Sequence, residues 1–138
     1  MNPVWRGEHK ELGTINSIFN FNNIYFELLA ANGEGLGAQL VNKTIEKNGE
    51  GLTGLVLGTE DLAKSKTHLL NEGFDFGNIS NGEGMDFDNG KVRRWKNLFL
   101  PDNLTRGLFA FLIEHTEGEL PMPDNFPDSS IHKLDHVV

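Results

Sequence analysis

The chain contains no cysteine. Disulfides and thiolate metal sites are therefore excluded, and any metal would be held by His, Asp or Glu. Basic residues are also in deficit, with 12 Lys and Arg against 20 Asp and Glu and a net charge of −8 at pH 7. Phosphate backbones and anionic bilayers are bound by clustered Lys and Arg. The densest basic cluster here is Lys91, Arg93, Arg94 and Lys96, so no nucleic-acid or membrane partner is expected. No apolar run is long enough to span a bilayer. The residues after Met1, NPVWRGEHKE, lack the apolar centre of a secretory leader, and a cytoplasmic location is expected. Gly82-Glu83-Gly84 is not read as a phosphate cradle, because no helix start follows it.

What is present fits one domain of 138 residues with many tight turns, given its 16 glycines. The clearest stretch runs from Leu52 to Phe76. Leu52, Leu55, Val56 and Leu57 supply an apolar strand. Thr59 and Asp61 offer side-chain oxygens to the first turn of a helix. Leu62 and Ala63 recur as Leu69 and Leu70 on one helical face. Gly73 fits the left-handed stop, with Phe74 folding back toward Leu69.

Upstream, Met1–Leu12 shows no clear period. A hairpin is predicted from Gly13–Phe21 and Ile24–Ala30, with a turn at Asn22–Asn23. Glu27 lies among apolar neighbours on its second strand, a solvent-facing position being the alternative to a functional one. Ala38, Val41 and Ile45 predict a helix over Leu36–Asn48, and Gly49 can end it. Downstream, 76–88 reads as a polar, Gly-rich stretch and Asn89-Gly90 as a hairpin turn. Val92–Leu100 alternates, Pro101-Asp102-Asn103 turns, and Leu108–Ile113 is the last strong strand, ending in Glu114-His115. A Pro-rich connector over Leu120–Pro127 leads to a terminal strand, Ile131–Val138.

The two halves resemble each other. Glu27 in YFELL and Glu114 in FLIEH each sit in a strand preceded by a hairpin partner. The terminal LDHVV (Leu134–Val138) resembles LTGLV (Leu52–Val56). The implied unit is strand–helix–strand–strand–strand, complete from Leu52 to His115 and lacking its opening strand and helix in the first half.

These residues are similar to those of the vicinal oxygen chelate superfamily, and within it to glyoxalase-like domain proteins. The resemblance rests on His9-Lys10-Glu11-Leu12-Gly13-Thr14-Ile15-Asn16 followed by Tyr25-Phe26-Glu27-Leu28. It continues through the strand–Asp–helix–Gly-Phe unit after Gly51-Leu52, Asp88-Asn89-Gly90, Arg94-Trp95 and the strand ending at Glu114. It implies an α+β fold of paired βαβββ modules whose curled mixed sheets enclose a cleft, the first module incomplete at the N-terminus. One domain over 1–138 is expected. Within it 1–50 is a partial first module, 51–116 a complete second module, 117–130 a connector, and 131–138 a strand that completes the first module or opens another. The abrupt end suggests a piece of a longer protein.

The resemblance implies ligands for a divalent metal (Mn, Fe, Zn or Ni) at Glu27 and Glu114. His136 has the local pattern of the missing first-strand ligand. The corresponding second-module position falls near Gly54, which has no side chain to coordinate. A cation among carboxylates and imidazoles would act as a Lewis acid on paired substrate oxygens or activate oxygen. His9 and Glu27 are the candidate catalytic groups, one of the carboxylates being a general base if its pocket suits. Thr14, Asn16, Arg94 and Trp95 are candidate contacts for a small oxygen-rich or planar ligand. Each has a bland alternative: a surface histidine, turn bonding, or a solvated strand face with one core aromatic. Three readings stay open: a metal-dependent lyase, isomerase or dioxygenase; a metal-free module that sequesters a small molecule; and an inactive partial domain completed by a homodimer or a longer chain.

Overall fold

The structure is a computed structural model that describes residues 2–121, Lys133 and Asp135. The expected terminal strand, including His136, lies outside the described residues. The fold is α+β, with a mixed sheet. In order, the elements are β1 (Trp5–His9), a 3-10 turn (Lys10–Leu12), β2 (Thr14–Asn20), β3 (Tyr25–Ala31), α1 (Leu36–Asn48), β4 (Gly54–Gly58), α2 (Leu62–Asn71), β5 (Ser80–Asp86), β6 (Val92–Phe99), α3 (Asp102–Thr105) and β7 (Phe109–Glu117). The order β4-α2-β5-β6-β7 is the expected strand–helix–strand–strand–strand run. Among the described residues the first half contributes the three strands β1 to β3.

The chain divides into two compact units. Unit 1 comprises residues 1–43, 84–91 and 119–138; unit 2 comprises 44–83 and 92–118. In unit 1, β3 pairs with β2, β2 with β1, and β1 with the end of β5, all antiparallel. The register His9↔Thr14, Gly7↔Asn16 and Trp5↔Ile18, continued by Asn16↔Leu29 and Ile18↔Glu27, sets which side chains share a face. Because side chains alternate along a strand, Trp5, Gly7, His9, Thr14, Asn16, Ile18 and Glu27 project to one side. All of these but Glu27 are buried, and Glu27 is half-buried.

In unit 2, β6 and β7 form an antiparallel pair and β4 joins β7 in parallel. Helix α2 lies against β6 and β7. Leu62, its first residue, and Leu98 on β6 are fully buried. Both ends of α2 follow from the sequence. Asp61 accepts from the Lys64 N–H at 2.9 Å. At the other end Gly73, with φ of 87°, donates to Leu70 O and Phe74 donates to Leu69 O. That pair of bonds satisfies the last carbonyls of the helix and requires a left-handed residue at position 73.

Two strands depart from the sequence reading. Met1–Leu12, without visible period, contains β1. Its inward residues are Trp5, Gly7 and His9, only one of them large and apolar. The stretch 76–88, read as polar and Gly-rich, contains β5, whose buried residues are Gly82, Gly84 and Asp86. A strand that turns glycine and aspartate inward carries no hydrophobic alternation to detect.

Candidate functional site

The buried face of unit 1 brings together four of the residues singled out in the sequence. Asn16 is the centre. Its Nδ2 donates to Glu27 Oε1 at 2.8 Å and lies 3.2 Å from His9 Nε2. His9 Nδ1 lies 2.9 Å from Thr14 Oγ1. The carboxylate accepts only, so the amide must turn its NH₂ toward Glu27. The second hydrogen of that NH₂ then faces His9 Nε2, which acts as acceptor. His9 therefore carries its proton on Nδ1 and donates it to Thr14. Thr14 keeps its own hydroxyl hydrogen as a donor. Asn16 Oδ1 is buried and, among the described residues, accepts no hydrogen bond. A buried acceptor without a partner costs about 1–3 kcal/mol, and an arrangement that keeps one is suited to receive a donor from elsewhere.

Glu114 stands in a different setting. Its Oε2 accepts from the Leu62 N–H at 2.8 Å and its Oε1 from Lys96 Nζ at 2.9 Å. The Leu62 N–H, first, and Lys96, second, hold its carboxyl below the usual carboxylate range. The carboxylate thus anchors the start of α2, where free N–H groups favour negative charge.

Register explains why the two glutamates differ. The β2–β3 hairpin closes on Phe21 N→Ile24 O, and the β6–β7 hairpin closes in the same phase on Leu100 N→Ala110 O. Counted from those bonds, Glu27 is three residues into its strand and Glu114 is four into its own. One residue of offset reverses the face. The counterpart of Glu27 is Ile113, and the counterpart of Glu114 is Leu28. The similarity of YFELL and FLIEH is real as text but out of step by one residue.

A pH prediction follows from Glu114. With its folded pKa depressed, its stabilisation is present above the ordinary carboxylate range and is lost as pH falls through the lowered value. Thermal unfolding from about pH 6 to about pH 3 should show Glu114→Gln less stable than the native chain at the upper end. The gap should narrow as the native carboxylate becomes protonated.

Arg94 and Trp95, expected to touch a ligand, lie in unit 2. Arg94 is paired with Glu83 at 2.8 Å and with Glu117. Glu117 and then Glu83 push its pKa up, so the guanidinium is held charged. Trp95 packs on Gly82, where an added Cβ would fall 2.8 Å from the indole Cζ2. Gly54 has no room for a larger residue either: a Cβ there would lie 2.7 Å from the Phe109 ring and 2.8 Å from its carbonyl oxygen. The missing ligand at this position is thus a packing requirement of β4 against β7.

Among the described residues no group of three His, Cys, Asp or Glu side chains could hold a metal ion. Glu27 shares its face with His9 and the Asn16 amide, whereas both oxygens of Glu114 already carry donors. His136, the third expected ligand, lies outside the described residues, and no step below is routed through a metal. Among the described residues no helix is long and apolar enough to cross a membrane.

Sequence reasoning missed two polar groups that the structure makes prominent. Asp86 is buried and accepts from the Asp88 N–H at 2.8 Å and from Asn89 Nδ2 at 3.2 Å, shaping the turn after β5. Lys96, half-exposed, stands out in the sequence as one of a basic cluster on an alternating strand, and in the structure it is the side-chain partner of Glu114.

Comparison with known proteins agrees with this architecture. The whole chain, residues 1–138, matches the family described as Glyoxalase-like domain. The chain belongs to the glyoxalase-like domain family. Its fold is similar to that of a hypothetical protein from Staphylococcus aureus, at 19% identity and a TM-score of 0.65 over 81% of this chain and 49% of that one. The chain thus spans about half the length of that relative. It is also similar in fold to methylmalonyl-CoA epimerase. A complex of that enzyme with methylmalonyl-CoA and NH4+ aligns at 19% identity and a TM-score of 0.62, over 87% of this chain and 81% of that one. A Streptomyces coelicolor methylmalonyl-CoA epimerase in complex with 2-nitronate-propionyl-CoA aligns at 19% identity and a TM-score of 0.61, covering 82% and 78% of the two chains. A search of curated proteins found no match.

Proposed function

We propose that this glyoxalase-like domain binds a small oxygen-rich molecule at the His9–Thr14–Asn16–Glu27 cluster and moves a proton there, as an isomerase does. The observation that carries the reading is the buried, unpartnered Asn16 Oδ1 beside a carboxylate. The cluster offers one acceptor at Asn16 Oδ1, one donor at the Thr14 hydroxyl and one proton acceptor at Glu27. A hydroxyl or enol beside a carbonyl presents the complementary pair of groups.

In this mechanism Thr14 donates to the ligand's carbonyl oxygen and Asn16 Oδ1 accepts from its hydroxyl. Glu27 takes a proton from the carbon next to the carbonyl and returns it. His9 is a positioning residue, since its ring links Thr14 to Asn16. The similarity to epimerases supports this class of chemistry, because inverting such a centre needs a proton removed and replaced.

Calorimetric titration with dihydroxyacetone and with glyceraldehyde, each carrying a hydroxyl beside a carbonyl, tests the reading. Saturable binding of at least one is expected. Asn16→Ala, checked for an intact fold by circular dichroism, should weaken it by roughly tenfold, about the cost of one buried hydrogen bond. Absence of binding by both compounds, or binding indifferent to Asn16, would argue against it.

A further inference from the structure

The sequence contains four Asn-Gly pairs: Asn32-Gly33, Asn48-Gly49, Asn81-Gly82 and Asn89-Gly90. Such a pair can react with itself. The glycine nitrogen attacks the side-chain carbonyl carbon of the asparagine, and a glycine offers no side chain to block that approach. The reaction is favoured where the asparagine side chain is uncommitted, the glycine N–H is unbonded and the backbone has room to turn.

The fold treats the four pairs differently. Asn89 is held at both ends of its side-chain amide. Its Oδ1 accepts from the Lys91 N–H at 2.8 Å and its Nδ2 donates to Asp86 Oδ2 at 3.2 Å. The Gly90 N–H is bound to the Asp86 carbonyl at 2.9 Å. Asn48 ends α1, and the Gly49 N–H donates to Ile45 O at 2.8 Å. Asn81 lies within β5, and Gly82 is buried against the Trp95 indole.

Asn32 lacks these restraints. It is exposed and directly follows β3. Among the described residues neither its side-chain amide nor the Gly33 N–H makes a hydrogen bond. Gly33 takes a φ of 102°, and a Cβ added there would meet nothing within 4 Å. The neighbouring backbone, in contrast, is tightly seated. The Asn32 N–H donates to Gly13 O at 2.8 Å, and the Gln39 N–H to Gly35 O at 3.0 Å. A Cβ on Gly13 would fall 2.6 Å from the Glu34 carbonyl carbon, and one on Gly35 2.5 Å from the Leu12 carbonyl carbon. Residues 34 and 35 thus rest on the backbone of residues 12 and 13. Thr14, which bonds His9, begins β2 directly after that corner.

We propose that Asn32-Gly33 is a site of spontaneous modification, whose isoaspartate product loosens the corner at Leu12–Gly13. The Gly33 nitrogen bonds to Asn32 Cγ, the Cγ–Nδ2 bond breaks, and ammonia leaves with the Gly33 proton. Water then opens the succinimide ring. Opening at the main-chain carbonyl gives isoaspartate, and opening at the side-chain carbonyl gives aspartate. Isoaspartate carries an additional carbon in the main chain between residues 32 and 33. Asn32 and Gly35 are both fixed to the 12–13 corner, so the longer path between them cannot keep both contacts.

The test incubates the whole chain in mildly alkaline buffer and follows it by peptide mapping with isoaspartyl methyltransferase labelling. Isoaspartate is expected at residue 32 first. The other three positions should lag by roughly tenfold, since each must first give up a hydrogen bond or its packing. In urea, which removes those restraints, the four rates should converge. Asn32→Gln, an exposed change that leaves the fold intact, should abolish labelling in this peptide. In the aged fraction, hydrogen exchange should accelerate at the residue 32 and Gln39 amides. Labelling that appears first at residue 48, 81 or 89, or no labelling at residue 32, would overturn the proposal. So would a lead of residue 32 that persists in urea, or unchanged exchange in the aged fraction.

Discussion

Truncating Leu98 to alanine is expected to lower the unfolding free energy by about 2–5 kcal/mol, the range for a buried leucine whose cavity does not collapse. Leu98 has no exposed surface and is cross-strand partner to Leu112. It shares the face of Lys96 and Glu114, on which α2 begins, and the first residue of α2, Leu62, is equally buried. The void would open where a strand pair meets a helix. Denaturant unfolding should show a lower midpoint with an unchanged slope. Leu112→Ala, on a half-buried residue of the same face, should cost less. Equal effects would mean that α2 does not seat on Leu98.

The second large effect is expected at Gly7. A Cβ there would fall 2.6 Å from Trp5 Nε1 and well inside van der Waals contact of the Met85 carbonyl oxygen. The tryptophan ring could shift, but the carbonyl belongs to the backbone paired with β1. Either the β1–β5 pairing opens or the alanine is strained. Overpacking of this kind costs about 1–3 kcal/mol and sometimes more. Gly7→Ala should therefore approach the cost of a core truncation although it adds a single methyl group. Hydrogen exchange would accelerate first at Arg6–Glu8 and Met85–Asp86. Fully retained stability would show that β1 and β5 separate without cost.

These two sites also show what the sequence made legible. The unit around α2 was readable because every signal agreed: an Asp cap, a seven-residue apolar repeat and a glycine stop. Helix α1 over Leu36–Asn48 was readable for the same reason. β1 and β5 were not, because their inward positions are Gly7, His9, Gly82, Gly84 and Asp86. Close backbone approach and buried polar bonds replace apolar side chains there, and hydrophobic periodicity cannot register either.

The candidate site divides in the same way. His9, Thr14, Asn16 and Glu27 were picked out together by a local pattern of residues, and the antiparallel register places them on one face. The pairing of Glu27 with Glu114 rested on similar words in the sequence. A strand exchanges its faces at every residue, so a repeat must be aligned through its hydrogen bonds. No reading of letters alone could supply that phase, nor the donors from Leu62 and Lys96 that occupy Glu114.

The claim at the centre of this account is that Glu27 serves the ligand site and Glu114 serves the fold. Deuterium exchange at the carbon next to the carbonyl of dihydroxyacetone, followed in heavy water with the native chain, Glu27→Gln and Glu114→Gln, tests it most directly. The account predicts exchange with the native chain and with Glu114→Gln, the latter less heat-stable, and loss of exchange in a well-folded Glu27→Gln. Loss of exchange in a well-folded Glu114→Gln, or full exchange with Glu27→Gln, would contradict it.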